Sequence, residues 1–250
     1  MNYAINEGLT GSLAWLNGRP LFASISGGKD STALGLWLKD NGIKFTPVFI
    51  DTGWEHQATY DYIKDVLTPL FGKFITLRNE KYFKDDDEYK GGFEQLAKYN
   101  KMFPSGRVRF CTIQLKVIPI QNFYSEVRAK TKLKPICAIG IRAQESQARA
   151  KKPMIEEQDE ATIFHPLIKF KDEEIVDLHH KHNTPPNPLY LKGSHRVGCY
   201  PCIYARKSEI RHLAYNDSKR IDRIRELEEK INEIRRDDQK PSTFFHQRGS

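Results

Sequence analysis

The stretch ISGGKDSTALG, Ile25–Gly35, decides how this chain is read. It follows the short apolar run PLFASIS (Pro20–Ser26), which reads as a buried strand. After it, STALGLWLKDNG has helical spacing and a stop at Asn41-Gly42. A glycine loop between a strand and a helix lets backbone N–H groups approach an anion closely, and the helix N-terminus favours negative charge. The order S-G-G-K-D-S is not the common phosphate loop, which needs G-x-x-x-x-G-K followed by Ser or Thr. The dinucleotide pattern G-x-G-x-x-G fails as well. A bare Gly27-Gly28 pair would suit an ordinary turn equally well; Ser26, Asp30 and Ser31 around it tip the reading towards an anion site.

Working outward, KFTPVFIDT (Lys44–Thr52) and KFITLRN read as strands, with HQATYDYIKDVLTPLF between them as a helix. TIQLKVIPIQNFYSEVRAK reads as a helix interrupted at Pro119. KPICAIGIRA (Lys134–Ala143) and ATIFHPLIKF read as further strands, and KDEEIVDLHHKH as a helix. Alternating strands and helices predict an α/β fold: a mainly parallel, twisted, Rossmann-like sheet with helices on both faces. The segment NTPPNPLYLKGSHRVGCYPC is a proline- and glycine-rich loop of a length that compact domains keep mostly for function. Two charged helices and an irregular tail, QKPSTFFHQRGS, follow it. The expected division is a nucleotide-binding domain over 1–183 and a cysteine-containing helical appendage over 184–250.

The 250 residues suffice for one such domain and its appendage. No run of about 18 apolar residues appears, so no membrane helix is expected. The N-terminal stretch has neither a basic nor an apolar signal region, and the expected location is the cytoplasm. A net charge of +8 favours anionic partners. Cys111, Cys137, Cys199 and Cys202 in such a compartment point to metal or redox use rather than disulfides.

The loop resembles the signature of the PP-loop ATP pyrophosphatases, adenine nucleotide α-hydrolase-like proteins that cleave ATP between the α and β phosphates. Four further segments resemble the phosphoadenylylsulfate (PAPS) reductase-like branch: FIDTGWEH (Phe49–His56), RFCTIQLKVIPI (Arg109–Ile120), GIRAQESQARA (Gly140–Ala150) and NPLYLKGSHRVGCYPC (Asn187–Cys202). The matches run in order over roughly residues 20 to 212. The resemblance implies that Ser26, Gly27, Gly28, Lys29 and Ser31 hold phosphate oxygens of ATP, and that Asp30 orients the loop or approaches Mg²⁺. It adds Asp51, Thr52 and Gly140 to the nucleotide site. Arg142 and Arg149 can grip phosphate, with Glu145 as a magnesium ligand or an arginine orienter. The last three would otherwise read as a surface ion-pair cluster.

Cys199-x-x-Cys202 precedes a helix, where a thiol pKa is expected to fall. Such a pair serves zinc, iron–sulfur or redox chemistry alike. In the resembling segment Cys111 is a cluster ligand, which makes a third; Cys137 reads as a buried strand residue or a fourth ligand. The implied cofactor is a 4Fe–4S cluster with one open iron, with zinc as the alternative. The chain lacks the adjacent cysteine pair of cluster-bearing sulfonucleotide reductases, since Phe110 precedes Cys111. It also has no cysteine after Cys202, where those enzymes carry their nucleophile. The remaining combination resembles the ATP pyrophosphatase subunits of DNA phosphorothioation systems. That implies adenylation of a substrate oxygen before sulfur insertion, a cysteine desulfurase as sulfur donor, and DNA, rather than RNA, as acceptor. A homodimer is compatible with the sequence. Arg206, Lys207, Arg211, Lys219, Arg220, Arg223 and Arg225 are candidate backbone contacts, or a solvated helix face interleaved with glutamates. The other functions open at this point are PAPS or APS reduction, tRNA thiolation, and a non-catalytic nucleotide-binding scaffold for a desulfurase.

Overall fold

The computed structural model describes residues 16, 18–84, 86, 88–236 and 238–245. In chain order the elements are β1 (Leu21–Ser24), α1 (Lys29–Asp40), β2 (Thr46–Ile50), α2 (Gln57–Tyr62), a π-helical turn (Ile63–Leu67), α3 (Thr68–Phe71) and β3 (Ile75–Leu77). There follow α4 (Phe93–Asn100), α5 (Phe110–Thr112), a second π-helical turn (Ile113–Val117), α6 (Ile118–Thr131), β4 (Ile136–Ile139), α7 (Gln147–Ala150), β5 (Ile155–Glu157) and β6 (Thr162–Phe164). The last helices are α8 (Asp172–Lys181), α9 (Pro188–Leu191), α10 (Lys207–Asn216) and α11 (Ser218–Glu233).

The strands form one six-stranded sheet in the order β3-β2-β1-β4-β6-β5. β1 runs parallel to both β2 and β4, β4 runs parallel to β6, and the edge strand β5 pairs antiparallel with β6. Leu21, Phe22, Ala23 and Ile25 are all buried. That continuous apolar run is what a central parallel strand covered on both faces requires. β5 and α4 were not legible in the sequence. β5 is a three-residue edge strand with two glutamates, too short and too polar to show a period.

The helix containing Pro119 is not interrupted there. Helical residues run on from Phe110 to Thr131, and the wider π turn ends at Val117, so Pro119 occupies the first turn of α6. In a first turn a missing N–H and a fixed φ are tolerated.

The chain folds as two compact units. One takes in the described residues of Met1–Phe49 together with Ile63–Ile75 and Gln121–Pro186; the other takes in Ile50–Tyr62, Thr76–Ile120 and the described residues from Asn187 onward. The last segment of the first unit ends at Pro186, and the second unit also draws on two earlier segments. In the first unit α8 lies against α1: Lys181 and His182 reach Asp40 at 2.7 and 2.9 Å, and the His179 ring meets the Lys29 carbonyl at 2.9 Å. Gly35 of α1 is a close-approach position, because a Cβ there would lie 2.6 Å from the Phe71 ring.

The second unit has an aromatic core. The Trp54 and Phe93 rings are 4.8 Å apart, and Phe244 sits 5.6 to 5.8 Å from Trp54, Phe93 and Phe103. Leu213, Ile224, Leu227 and Ile231 close it from α10 and α11. The described part of the tail has no regular structure, yet it is docked. Ser242 accepts from Phe103 N at 2.9 Å and donates its own N–H to Asn232 Oδ1 at 2.7 Å, and Phe244 N donates to Glu228 Oε1 at 2.6 Å. Its last five residues lie outside those described.

Because Phe244 is fully buried in that core, Phe244→Ala is expected to cost about 3–5 kcal/mol. The thermal unfolding midpoint should fall by several degrees, and an unchanged midpoint would mean that the tail does not complete the core.

Candidate functional site

The Ser26–Ser31 loop leaves the C-terminal end of β1, and the Gly140–Arg142 segment leaves the end of the neighbouring β4. β1 has β2 on one side and β4 on the other, so this is the point where the strand order reverses and where open α/β sheets bind ligands. Gly27 has φ +78°, a conformation glycine adopts without strain, and Gly28 caps α1 with no side chain over the first turn. Ser31 Oγ donates to Gly28 O at 2.9 Å, accepts from Ser26 N at 3.1 Å and lies 3.2 Å from Ser26 Oγ. Both hydroxyls are thus fixed on the loop.

Arg142 organises the charges. Its side chain is almost wholly buried, its Nε donates to Asp30 Oδ1 at 2.5 Å and its Nη2 to Asp172 Oδ1 at 2.9 Å. Nη1 is buried with no hydrogen-bond partner among the described residues. An unpaired buried donor costs about 1–3 kcal/mol, more on a charged group, and an anionic ligand oxygen would relieve it. Gly140 permits the approach: a Cβ there would sit 2.5 Å from the Asp30 carbonyl. Asp30 therefore orients the loop through Arg142. Lys29 Nζ reaches Asp172 Oδ1 at 2.5 Å, so one half-exposed carboxylate holds both Lys29 and Arg142. The two cations keep the Asp172 carboxyl below its ordinary pKa, with the Lys29 hydrogen bond as the main cause. Glu145 accepts from Arg142 N at 2.8 Å and pairs with Arg149. Glu145 thus links the Arg142 backbone to the Arg149 side chain, and the three residues form one connected network.

Sequence reasoning missed Asp172. It looks like any acid in the first turn of a helix, and only the fold shows that its carboxylate meets the loop. His179, which holds the Lys29 carbonyl, was equally silent.

Asp51 and Thr52 belong to the second unit. Asp51 Oδ1 accepts from Gly53 N at 2.9 Å and from the Tyr60 hydroxyl at 2.8 Å. Thr52 donates to Glu55 through Oγ1 at 2.6 Å and through N at 3.1 Å, and Trp54 N adds a third donor at 3.2 Å. Gly53 (φ +67°) and Gly92 (φ +88°) lie so close that a Cβ on either would run into the backbone beside the other. Glu55 is buried, and that burial raises its pKa.

Glu55 bridges by its backbone to Cys199, and its Oε1 accepts from the Cys199 thiol at 3.9 Å. Lys116 hydrogen-bonds Cys199 and is held above its ordinary pKa, chiefly by the charge of that residue. Cys202 acts electrostatically on Cys111 and Cys199, and Arg196 Nη2 approaches its sulfur at 3.7 Å. The helix-terminus reading expected a depressed thiol pKa at Cys199; the structure shows the opposite there, and at Cys111 as well. Burial pushes both up, and Lys116 only partly offsets this. Among the described residues no three His, Cys, Asp or Glu side chains converge to hold one metal ion. Cys111, Cys199 and Cys202 are thiol donors, the ligand type that iron–sulfur clusters take. Cys137 is a core residue of the first unit. It lies mid-sheet beside Tyr124, and burial pushes its thiol up to about 11.

Two substitutions test the loop. Gly140→Ala should lower nucleotide affinity at least tenfold while the protein stays folded, because the new methyl displaces the Asp30 backbone. Asp172→Asn should tighten nucleotide binding about three- to tenfold by releasing Lys29 and Arg142. Calorimetric titration with a non-hydrolysable ATP analogue measures both.

Residues 20–205 match the model of the phosphoadenosine phosphosulfate reductase domain. An uncharacterized 37.8 kDa protein from the gpa 5′ region of Escherichia phage 186 is 32% identical, over 89% of this chain and 78% of its own length. An uncharacterized protein of Methanocaldococcus jannaschii is 29% identical over 78% of this chain, which spans only 38% of that relative. Among solved structures, the PAPS reductase of Candida auris, crystallised as a phosphate complex, is similar with a TM-score of 0.56. It is 17% identical and the match covers 78% of this chain and 94% of that one, a likeness of fold. Among the described residues no helix is long and apolar enough to cross a membrane. The family points to an enzyme acting on adenine nucleotides in sulfur-related chemistry: the chain belongs to the phosphoadenosine phosphosulfate reductase domain family.

Proposed function

We propose that this protein is an ATP pyrophosphatase that adenylates a substrate oxygen so that sulfur can replace it, with a DNA phosphate as the acceptor. The observation that carries the reading is the buried Arg142 guanidinium, tied to the glycine loop through Asp30 and left with an unpartnered Nη1. A polyphosphate is the ligand that satisfies it together with the loop. Gly27 and Gly28 bring the backbone close, Ser26 and Ser31 supply hydroxyls, and Lys29 supplies a cation.

In this reading the loop and Lys29 hold the β and γ phosphates, with Mg²⁺ carried by the nucleotide, and expose the α-phosphorus. A phosphate oxygen of the acceptor attacks that phosphorus. The bond from the α-phosphorus to the bridging oxygen breaks, and its electron pair leaves with pyrophosphate. The acceptor oxygen is now bonded to AMP and can depart. Hydrosulfide attacks the acceptor phosphorus, AMP leaves, and no net oxidation occurs. ATP is needed because oxide is otherwise a prohibitively poor leaving group. Arg142 stabilises charge on the phosphates while Asp30 and Glu145 hold it in place. Cys111, Cys199 and Cys202 would hold a 4Fe–4S cluster, which supplies an iron with an open position. A cysteine desulfurase is the sulfur source in this scheme.

Anaerobically purified protein with Mg-ATP should release AMP and pyrophosphate, faster when DNA and sulfide are present. Arg142→Ala should lower the rate at least about 100-fold, the scale for losing a charge-stabilising donor. ADP and phosphate as products would overturn the reading at its first step. Stimulation by tRNA alone would replace DNA with RNA, and sulfite released from PAPS or APS would make the protein a reductase.

A further inference from the structure

We propose that the exposed row Lys207–Arg211–Tyr215 on α10, together with the adjoining Lys192–Arg196 loop, docks a single-stranded nucleic acid. The three residues are spaced i, i+4, i+8, so they line one side of the helix, and all three are exposed. Tyr215 is 89% and Leu191 79% exposed, more than any other large hydrophobic residue described. The loop lies against the helix: Gly193, at φ +82°, comes so close to the His212 ring that a Cβ would be 2.7 Å from it.

The charge here is one-sided. Residues 192–216 carry Lys192, Arg196, Arg206, Lys207 and Arg211 against a single acid, Glu209. That carboxylate is turned back to cap the helix, accepting from Arg206 N at 2.8 Å. α11 differs. Arg220 stacks 3.7 Å from the Trp54 ring and donates to two carbonyls, and Arg223 pairs with the buried Glu94. Arg225 reaches Asp222 at 3.2 Å. Two of the seven basic residues singled out in the sequence thus turn inward to hold the second unit together, and the unopposed charge lies on α10 and its loop.

Cations at helical spacing suit a phosphate backbone, and a tyrosine ring standing clear of the surface suits the face of a base. A duplex hides base faces within its stack, so the row fits a single strand or an extruded base. Arg196, at the end of this surface, approaches the Cys202 sulfur at 3.7 Å, which brings a bound strand towards the thiols. The proposal deepens the nucleic-acid half of the function above, but binding here requires no ATP turnover.

Fluorescence anisotropy with labelled oligonucleotides of about 12 nucleotides, in DNA and RNA forms of one sequence and without nucleotide, tests it. The protein should bind single strands more tightly than the matching duplex. Lys207→Gln/Arg211→Gln should weaken binding about tenfold and reduce the salt slope by about 1.4, from about 0.7 per phosphate contact. Tyr215→Ala should weaken it about fivefold or more at unchanged salt slope, with Tyr215→Phe restoring it. Lys219→Gln/Arg225→Gln on α11 should leave affinity unchanged. Equal losses in both double variants, or duplex binding as tight as single-strand binding with Tyr215→Ala silent, would overturn the proposal. Whichever strand chemistry binds more tightly identifies the source. ATP cleavage, followed separately, tells whether the adenylation reading or this surface has failed.

Discussion

The nucleotide end of the first unit depends on one buried guanidinium. Arg142 is taken out of water after β4, and its Nε meets Asp30 on the loop after β1 at 2.5 Å. A buried cation is tolerable only with a close, well-oriented partner, and removing either member leaves an uncompensated charge worth roughly 3–5 kcal/mol. The pair thus dictates where the loop lies relative to β4. It also dictates what stands beside it: Gly140, because any side chain would strike the Asp30 carbonyl. The Gly27 turn, the Ser26–Ser31 contact and the start of α1 follow from that placement.

The same guanidinium explains the role of Asp172. Its carboxylate is half-exposed, and salt bridges in such a place contribute about 0–1 kcal/mol each. It holds Lys29 and Arg142 in position without gripping them tightly. In the proposed function an incoming polyphosphate brings several charges and meets donors that are already aligned. The site is arranged for exchange: a weak internal anion keeps the cations ordered, and Asp30, with only a fifth of its side chain exposed, keeps Arg142 fixed throughout.

Much of this was legible in the sequence because it follows from local rules. A buried apolar run, a glycine turn and a helical period identify β1, the loop and α1, and the Pro20–Phe170 alternation gives the parallel sheet. Position in the chain was the weaker guide. The PP-loop and Arg142 segments lie over a hundred residues apart yet converge, because adjacent parallel strands bring their C-terminal ends together. Asp172 carried no mark beyond being a charged residue on a helix. Cys137 resembled a possible ligand until its register, between Phe22 and Ile163, placed it in the core. The pattern of basic residues on α11 could not reveal that Arg220 and Arg223 point inward, since both ion pairing and solvation put charges at helical spacing.

The second unit applies the same economy to thiols. The Asp51–Glu55 turn is closed by its own side chains, and the mutual approach of Gly53 and Gly92 joins it to the start of α4. Backbone pairing of Glu55 with Cys199 then fixes the cysteine to that turn. Burial favours the protonated forms of Glu55 and Cys199, so neither carries charge at little cost. Lys116 is the countervailing group: it is held charged above its usual range, and its main partner is Cys199. A protonated thiol neither binds metal nor attacks sulfur, whereas a thiolate does both. Lys116 lowers the cost of a thiolate at Cys199, and burial sets the larger cost against it.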